Sequence, residues 1–267
     1  MIKRPGRLVL LGRSLGHSLS PAFQNAALRE AQLPLRYEAL DIPASLLDAT
    51  LDELAAQDGA GNVTIPYKGQ VFDACDRLMP LALRAGAVNT FWFERGELVG
   101  DNTDVGGFET AVGKLLGGEP RGLTIGVLGA GGAAAAVLTA VERWPECTAR
   151  VHNRTPERAL ELCARFSSVA RASDTAEIGE CADLVVNASS VGLRDDDLPM
   201  DPAMLRPEAA VYDLVYRPGE SAWVRASRER GHRAADGLGM LIEQGAIAFE
   251  RWFGFPPDRD VMWRAVR

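Results

Sequence analysis

The stretch LTIGVLGAGGAAAAVLTAVE, residues 123–142, decides the fold of this chain. It opens with the apolar run Leu123–Leu128, turns through a cluster of glycines and continues as an alanine-rich segment with helical character. Gly129, Gly131 and Ala134 fit G-x-G-x-x-A, a spacing in which glycine permits a tight turn and the close approach of a pyrophosphate. The helix that follows presents its first N–H groups to that anion. Strand, glycine turn and helix in this order predict a dinucleotide-binding unit of the Rossmann type.

The residues after the next predicted strand indicate which dinucleotide is bound. That strand, Ala149–Asn153, is followed by Arg154 and Thr155, with Arg158 one helical turn later, and no Asp or Glu stands at its end. An acidic residue there would accept a hydrogen bond from the ribose 2′-hydroxyl of NAD. Two arginines and a hydroxyl suit a 2′-phosphate instead, because Arg binds phosphate through several N–H donors. We therefore predict NADP rather than NAD; the alternative is an exposed loop with ordinary surface charges.

Small polar residues follow another apolar strand of the second half, Leu184–Asn187. Ligands of open parallel sheets bind beyond the carboxyl ends of the strands. Asn187 and Ser189 are therefore predicted to line the cofactor site. The alternative is a capping loop that precedes Pro199.

Strands alternate with helices of about ten residues through the second half, which predicts βαβ units and a parallel sheet. We predict an α/β protein of two domains. Residues 1–104 form an N-terminal α/β substrate domain, and residues 105–237 form a Rossmann-type NADP-binding domain. The last segment, 238–267, contains a strongly apolar helix and is predicted to pack back on the first domain and complete it.

Composition excludes several classes of partner. The 267 residues carry a formal net charge of −7, and no run of Lys and Arg forms the basic stripe of a nucleic-acid binder. The uncharged stretch Thr124–Val141 is explained by the glycine turn rather than by a membrane span. No spacing of cysteines or histidines predicts a metal site. The four cysteines predict free thiols and a cytoplasmic protein, which we expect to be a monomer or a homodimer.

Polar motifs in the first half are candidates for a substrate site. In GHSLSP, Ser18 and Ser20 lie beside the start of a predicted helix, where two hydroxyls can hold a carboxylate. The alternative for Ser20 is an N-cap of a helix that begins at Pro21. That alternative leaves Ser18 without an explanation.

Three further motifs supply amide, hydroxyl, ammonium and carboxylate groups. NVTIPYK places Asn62 and Thr64 on one face of a predicted strand and Lys68 after its end. GAVNT contributes Asn89, and GDNTD contributes Asp104 just before a predicted helix. A lone lysine is usually a surface charge, and an aspartate before a helix is usually an N-cap. Together, however, these groups are what an enzyme needs to reduce a carbonyl: one proton donor, and polar groups that orient the substrate.

In their order along the chain, these motifs resemble those of the shikimate dehydrogenase family. The resemblance spans roughly residues 8–253 and rests on the blocks GHSLSP with Asn25, NVTIPYK, GAVNT, GDNTD, GAGGAA, NRTPERA, NASSVGL, DLVYRP and GMLIEQGAIAFERW. It implies reversible reduction of 3-dehydroshikimate to shikimate with NADPH, in aromatic amino-acid biosynthesis. Shikimate and 3-dehydroshikimate would then be the small-molecule partners.

The resemblance also implies a role for each matching residue. Lys68 and Asp104 would form the catalytic pair. Substrate would be bound by Ser18, Ser20, Thr64, Asn89, Asp104, Tyr216 and Gln244. Cofactor would be bound by Gly129, Ala130, Gly131, Gly132, Ala133, Asn153, Arg154, Thr155, Arg158, Asn187, Ser189 and Gly237. The chain departs from the family pattern at Ser14, where proline is usual, and at Gln24, where histidine is usual.

Three alternatives stay open at this point. A related enzyme that also or mainly oxidises quinate often uses NAD, which the Arg154 loop disfavours. A catalytically inactive ligand sensor on the same fold is disfavoured because Lys68 and Asp104 are both present. A glutamyl-tRNA reductase shares the GAG and NRT blocks but needs a nucleophilic cysteine in its first domain, and Cys75, in a predicted helix, is the only candidate there.

Overall fold

The computed structural model describes residues 4–267, which divide into two compact units. The first unit contains the described residues up to Gly107 together with Leu241–Arg267, and the second is Phe108–Met240. The C-terminal segment thus belongs to the same unit as the N-terminal half, as the sequence predicts.

The first unit is built on a mixed six-stranded sheet in the order β2-β1-β3-β5-β6-β4. Its strands are β1 (Arg7–Gly12), β2 (Tyr37–Asp41), β3 (Gly59–Val63), β4 (Arg77–Leu78), β5 (Thr90–Glu94) and β6 (Glu97–Asp101). The first three run parallel, whereas β5 is antiparallel to both β3 and β6. The helices of this unit are α1 (Ser20–Glu30), α2 (Leu47–Ala56), α3 (Lys68–Ala74), α4 (Pro80–Ala85), the start of α5 (Thr103–Leu116), most of α10 (Leu238–Phe253) and α11 (Arg259–Arg264).

Both faces of this sheet are covered, and β1 shows why. Its side chains alternate between two cores, as the period of a strand requires. Leu8 and Leu10 pack in a core with Phe23 of α1 and Trp252 of α10, whereas the intervening residues of the strand pack in a second core with Leu54 of α2. An apolar strand buried on both faces needs helices on both sides, and the C-terminal helices supply part of one cover.

The second unit is an all-parallel six-stranded sheet in the order β12-β11-β10-β7-β8-β9. Its elements are β7 (Thr124–Leu128), α6 (Gly132–Arg143), β8 (Thr148–His152), α7 (Pro156–Arg165), β9 (Ala170–Ala172), α8 (Thr175–Cys181), β10 (Leu184–Asn187), β11 (Ala210–Asp213), α9 (Ala222–Glu229) and β12 (Ala234–Ala235). Strands β8 and β9 follow β7 on one side of the sheet, and β10, β11 and β12 continue on its other side. The strand order therefore switches at β7, next to the glycine turn. This arrangement confirms the predicted Rossmann-type domain.

Two differences from the sequence prediction concern predicted site residues. Helix α1 begins at Ser20 with Leu19 in the N-cap position, so Ser20 is not the N-cap. Strand β3 ends at Val63, so Thr64 lies beyond the strand, and it does not share a strand face with Asn62. Turns and helix starts are set by contacts from other parts of the chain, which local residue preferences do not record.

Candidate functional site

Lys68 and Asp104 come together in the first unit. Lys68 is the first residue of α3, and its Nζ lies 2.5 Å from Oδ2 of Asp104 in the first turn of α5. Asn102 caps that turn, because its Oδ1 accepts a hydrogen bond of 3.1 Å from the backbone N–H of Asp104. The carboxylate of Asp104 is therefore free to face Lys68, and Asp104 is not the N-cap of the helix. The Lys68 side chain retains 24% of its exposure and that of Asp104 10%, so the pair is only partly shielded from solvent.

Asn89 joins this pair to the rest of the site. Its Nδ2 donates to Oδ1 of Asp104 at 2.8 Å and to Oε1 of Gln244 at 3.2 Å. Backbone bonds on both sides place it, since its N–H donates to Asp101 O and its C=O accepts from Val63 N. A buried amide with this many partners has one orientation, so it fixes the Asp104 carboxylate relative to Gln244.

Thr103 is a member of this cluster that sequence reasoning missed. Its backbone N–H donates to Oδ1 of Asn89 at 2.7 Å, and its hydroxyl lies 3.2 Å from the same oxygen and 3.4 Å from Oε1 of Gln244. It stands in the GDNTD block, but a threonine at a helix start gives no signal that distinguishes it from an ordinary first-turn residue. Its hydroxyl finds its partners only in the fold, where Asn89 Nδ2 donates to it at 3.0 Å and Gln244 of α10 lies close by.

Gln244 is held by its own helix and by α1. Its Nε2 donates to Leu241 O at 2.8 Å, and the carbonyl of the next residue, Gly245, accepts from Nε2 of Gln24 at 2.9 Å. Gln24 is buried, and its Oε1 has no hydrogen-bond partner among the described residues. Gln24, which stands where histidine is usual in the family, thus contacts the backbone next to Gln244, a predicted substrate residue.

The two serines and Thr64 occupy the segments next to β1 and β3. Ser18 is half-buried, and its Oγ accepts from the backbone N–H of Ser20 at 3.3 Å, so Ser18 rather than Ser20 supplies the local turn contact. Thr64 is half-buried, and a Cβ at Gly12 would lie 2.5 Å from its Cγ2. A glycine is required at the end of β1 for Thr64 to approach it. No hydrogen bond between described residues joins the serines to the Lys68–Asp104 pair.

Asn62 does not belong to the site. It is buried, its Oδ1 accepts from the hydroxyl of Tyr37 at 2.8 Å, and its Nδ2 donates to Asn89 O at 3.1 Å. Burial raises the pKa of Tyr37 well above its ordinary value, which keeps this hydroxyl protonated and donating. Asn62 therefore supports the backbone of Asn89, just before β5.

The glycine turn of the second unit fits a dinucleotide. Gly129 has φ of 123°, a conformation that favours glycine, and a Cβ there would lie 2.7 Å from Ala188 O. Gly131 precedes α6 without a side-chain cap, and a Cβ on it would meet nothing within 4 Å. No hydrogen bond to another described residue occupies the first N–H groups of α6, so they are available to a pyrophosphate. Ala130 lies in the turn, whereas Gly132 and Ala133 open α6, and all three are partly or fully exposed.

The residues predicted to read the 2′-phosphate lie between β8 and the first turn of α7. Asn153 donates from Nδ2 to Thr155 O at 2.9 Å, which shapes the loop. Arg154, Thr155 and Arg158 are exposed, and no ion pair joins either arginine to another described residue. Two uncompensated guanidinium groups beside a nucleotide turn suit a dianionic phosphate.

The remaining predicted cofactor residues lie beyond β10 and β11. Asn187 is fully buried and bonds to Ser189 and Asp213, so its side chain supports the loop. Gly237 packs so tightly that a Cβ would lie 2.2 Å from Leu214 O. Tyr216, predicted to lie near substrate, belongs to the second unit and is half-buried, and burial raises the pKa of its hydroxyl.

Residues 4–267 lack the features of two other classes of site. No cluster of three or more His, Cys, Asp or Glu side chains in this range is arranged to hold a metal ion. No helix within it has both the length and the apolar character needed to cross a membrane. Burial raises the pKa of Cys75 to about 12, so this thiol is held in its unreactive protonated form, contrary to what a glutamyl-tRNA reductase requires.

Comparison with known proteins identifies the family. The model of the shikimate dehydrogenase substrate binding domain matches residues 10–91, and that of the shikimate 5′-dehydrogenase C-terminal domain matches residues 237–267. A shikimate dehydrogenase (NADP(+)) of Rubrobacter xylanophilus is 44% identical over 96% of this chain and 94% of its own length. The chain belongs to the shikimate dehydrogenase family.

Solved structures of the shikimate dehydrogenase fold match over almost the whole chain. Shikimate 5-dehydrogenase of Thermus thermophilus, in complex with NADP(H) and shikimate, matches with a TM-score of 0.89 and 39% identity over 97% of each chain. Quinate dehydrogenase of Corynebacterium glutamicum, in complex with NAD, matches with a TM-score of 0.88 and 28% identity over 98% of this chain and 99% of the other. The fold is therefore shared by enzymes of both substrate types.

Proposed function

We propose that this protein is an NADP-dependent shikimate dehydrogenase, which reversibly reduces 3-dehydroshikimate to shikimate in aromatic amino-acid biosynthesis. The observation that carries the proposal is the Lys68–Asp104 pair, in which an ammonium and a carboxylate meet at 2.5 Å beside the amides of Asn89 and Gln244. Reduction of a polyhydroxylated cyclic ketone needs one proton donor next to polar groups that hold the ring. The site supplies both, and the family relationship supports the same activity.

Lys68 is the group that moves the proton. NADPH, when bound, supplies the hydride to the carbonyl carbon. As hydride arrives, negative charge develops on the carbonyl oxygen, and the ammonium of Lys68 stabilises that charge and delivers a proton to the oxygen. In the reverse direction Lys68 takes the proton back from the hydroxyl. Asp104 orients the lysine through Oδ2 and accepts a hydrogen bond from the substrate hydroxyl.

The other predicted residues orient the ring. Ser18 and Ser20 bind the carboxylate of shikimate through their hydroxyls, beside the start of α1. Thr64, Asn89 and Gln244 bind the ring hydroxyls, with Tyr216 near the substrate. Several neutral donors and acceptors suit a polyhydroxylated ring, because each hydroxyl both donates and accepts.

The residues of the second unit would hold NADP. The glycine turn fits the pyrophosphate, and Asn153, Arg154, Thr155 and Arg158 would hold the adenosine end with its 2′-phosphate. Asn187 and Ser189 would line the cofactor site, and Gly237 would lie near the nicotinamide. This arginine pair is the observation that favours NADP over NAD.

Quinate oxidation is the alternative activity, since a quinate dehydrogenase shares the fold. Initial rates with shikimate and with quinate, each with NADP and with NAD, distinguish the two. We expect the highest kcat/KM with shikimate and NADP. A higher kcat/KM with quinate and NAD would replace the proposal by the alternative, and no turnover in any of the four reactions would favour an inactive sensor. The cytoplasmic location and the choice between monomer and homodimer remain predictions.

A further inference from the structure

Asp213, at the end of β11, carries a buried carboxylate that the mechanism above does not use. It is 1% exposed. Its Oδ1 accepts from Nδ2 of Asn187 at 2.8 Å and from the backbone N–H of Val215 at 3.0 Å, and its Oδ2 accepts from the hydroxyl of Ser221 at 2.7 Å. Burying a carboxylate is costly even when it is fully hydrogen-bonded. Because burial of the Asp213 carboxylate costs free energy, stability alone does not explain why a charged side chain occupies this position.

The amide that Asp213 holds organises the loop after β10. Asn187 Oδ1 accepts from the backbone N–H of Ser189 at 3.0 Å and from its hydroxyl at 2.6 Å. Asn187 Nδ2 also donates to Val191 O at 3.1 Å. Because an amide has one oxygen and one nitrogen side, the acceptor at Asp213 decides which way Asn187 points. Its orientation in turn decides whether Ser189 and Val191 find their partners.

That loop lies directly against the glycine turn. A Cβ at Gly129 would lie 2.7 Å from Ala188 O and 3.0 Å from Ser189 N, so no space separates the two segments. A shift of the Ala188–Ser189 backbone would therefore move or close the turn that fits the pyrophosphate. The contacts run without a gap from Asp213 through Asn187 to Gly129.

Asp213 also organises the loop after its own strand. Its bond to Val215 N fixes the start of that loop, and Val215 O accepts from Gly237 N at 3.1 Å. Leu214 N donates to Asn187 O at 3.0 Å, which ties the two loops together. Both segments with predicted cofactor residues, at Ser189 and at Gly237, thus depend on one buried side chain.

We infer that Asp213 is a positioning residue for the cofactor, which sets NADP affinity by orienting Asn187 and the loops after β10 and β11. The inference rests on the proposed function for the identity of the ligand. The contacts also show which hydrogen-bonding groups a side chain at position 213 must supply. Oδ1 must be an acceptor, whereas the Ser221 hydroxyl, now a donor to Oδ2, is able to accept as well. An asparagine at position 213 keeps the network if that hydroxyl rotates, so an acceptor is needed and a charge is not.

The test is the affinity of purified variants for NADP, measured calorimetrically without shikimate. Asp213→Ala leaves Asn187 Nδ2 and Val215 N short of an acceptor, and we expect NADP affinity to fall about tenfold or more. Asp213→Asn should stay within about threefold of the wild type because the acceptor is kept. Shikimate affinity should change less than NADP affinity in both, since Tyr216 is the only predicted substrate residue in the second unit.

Ser221→Ala is the matched control. It removes the partner of Oδ2 and the side-chain cap of α9, in which Ser221 Oγ accepts from Val224 N, but it leaves the contacts of Oδ1 intact. It should lower the melting temperature with little change in NADP affinity. Equal losses of NADP affinity in Ser221→Ala and Asp213→Ala would mean that Asp213 acts only through stability, and would overturn the inference.

If Asp213→Ala does not fold, Asn187→Asp tests the same contact. It places two carboxylates at a distance of 2.8 Å, so NADP affinity should fall, and the double variant Asn187→Asp/Asp213→Asn should recover part of the loss because donor and acceptor are exchanged. Wild-type NADP affinity in folded Asp213→Ala or Asn187→Asp would overturn the inference alone. A wild-type protein that does not bind NADP would instead overturn the proposed function, and this inference with it.

Discussion

Asp104 is held through both of its carboxylate oxygens, by Lys68 at 2.5 Å on Oδ2 and by Asn89 at 2.8 Å on Oδ1. A carboxylate held on two sides presents a fixed charge to its partner ammonium. The ion pair restricts the Lys68 side chain to one orientation, whereas a surface lysine samples many. Loss of Lys68 and loss of Asp104 should therefore affect turnover and substrate binding differently.

Removing the amine should stop proton transfer while leaving substrate binding largely intact. We expect Lys68→Ala to lower kcat by about 10²–10⁴-fold, the usual span for general acid–base catalysis, with a much smaller change in the KM for shikimate. Single-turnover hydride transfer measures this step, with circular dichroism as the check of folding. A folded variant with near-normal transfer would remove Lys68 from the mechanism. Lys114→Ala, on the second unit, is the matched control and should behave as the wild type.

Neutralising the carboxylate should harm both turnover and binding. Asp104→Asn keeps the size of the side chain, but it replaces an oxygen acceptor by a donor and removes the charge that faces Lys68. We expect kcat to fall and the KM for shikimate to rise together, as measured by initial rates over a range of shikimate concentrations. A change in the KM alone would show that Asp104 only binds substrate.

The choice of cofactor should reside in Arg154. A charge-assisted contact contributes about 1.5–3 kcal/mol, so Arg154→Ala should raise the KM for NADP by about tenfold or more and leave NAD kinetics almost unchanged. Arg121→Ala is a control of the same type, because Arg121 is an exposed arginine of the same unit with one long contact to Glu146. Equal losses with NADP and NAD would show that Arg154 does not read the 2′-phosphate.

The serines of the first unit should act in binding more than in chemistry. Ser18→Ala and Ser20→Ala should each raise the KM for shikimate, since each removes one donor to the substrate carboxylate. Ser18→Ala should also lower the melting temperature slightly, because Ser18 Oγ accepts from Ser20 N. Titration with shikimate at saturating NADP checks the affinity. Unchanged affinity with a collapse of kcat would contradict this role.

Thr103 offers a test of a residue that only the structure identifies. Thr103→Val keeps the shape of the side chain and removes the hydroxyl that lies near Asn89 and Gln244. We expect kcat/KM for shikimate to fall about threefold to tenfold, the effect of one hydrogen bond. Thr139→Val, which removes a buried hydroxyl bonded to Ala135 O within α6, should lower stability without that kinetic loss. An identical kcat/KM in wild type and Thr103→Val would show that the Thr103 hydroxyl is not needed to orient Asn89.

Local sequence was enough to predict the second unit. An apolar strand, glycine turn and helix are consecutive, and so are the arginines that follow the next strand, so residues 123–158 carry their own evidence. The same holds for the GHSLSP, NVTIPYK and GDNTD blocks as a set of polar groups. Their order along the chain is similar to that of the shikimate dehydrogenase family.

Tertiary structure alone decided which of those groups meet. Lys68 and Asp104 are 36 residues apart, and Asn89 and Gln244 are 155 apart, so their contacts depend on how β3, α5 and α10 pack. Asn62 alternates with Thr64 in the sequence, yet the end of β3 at Val63 and the hydroxyl of Tyr37 assign it to the core. Hydrogen bonds and packing between distant segments leave no periodic pattern in either segment. The sequence by itself therefore determined which functional groups the chain can supply, and the fold determined which of these side chains come together in one site.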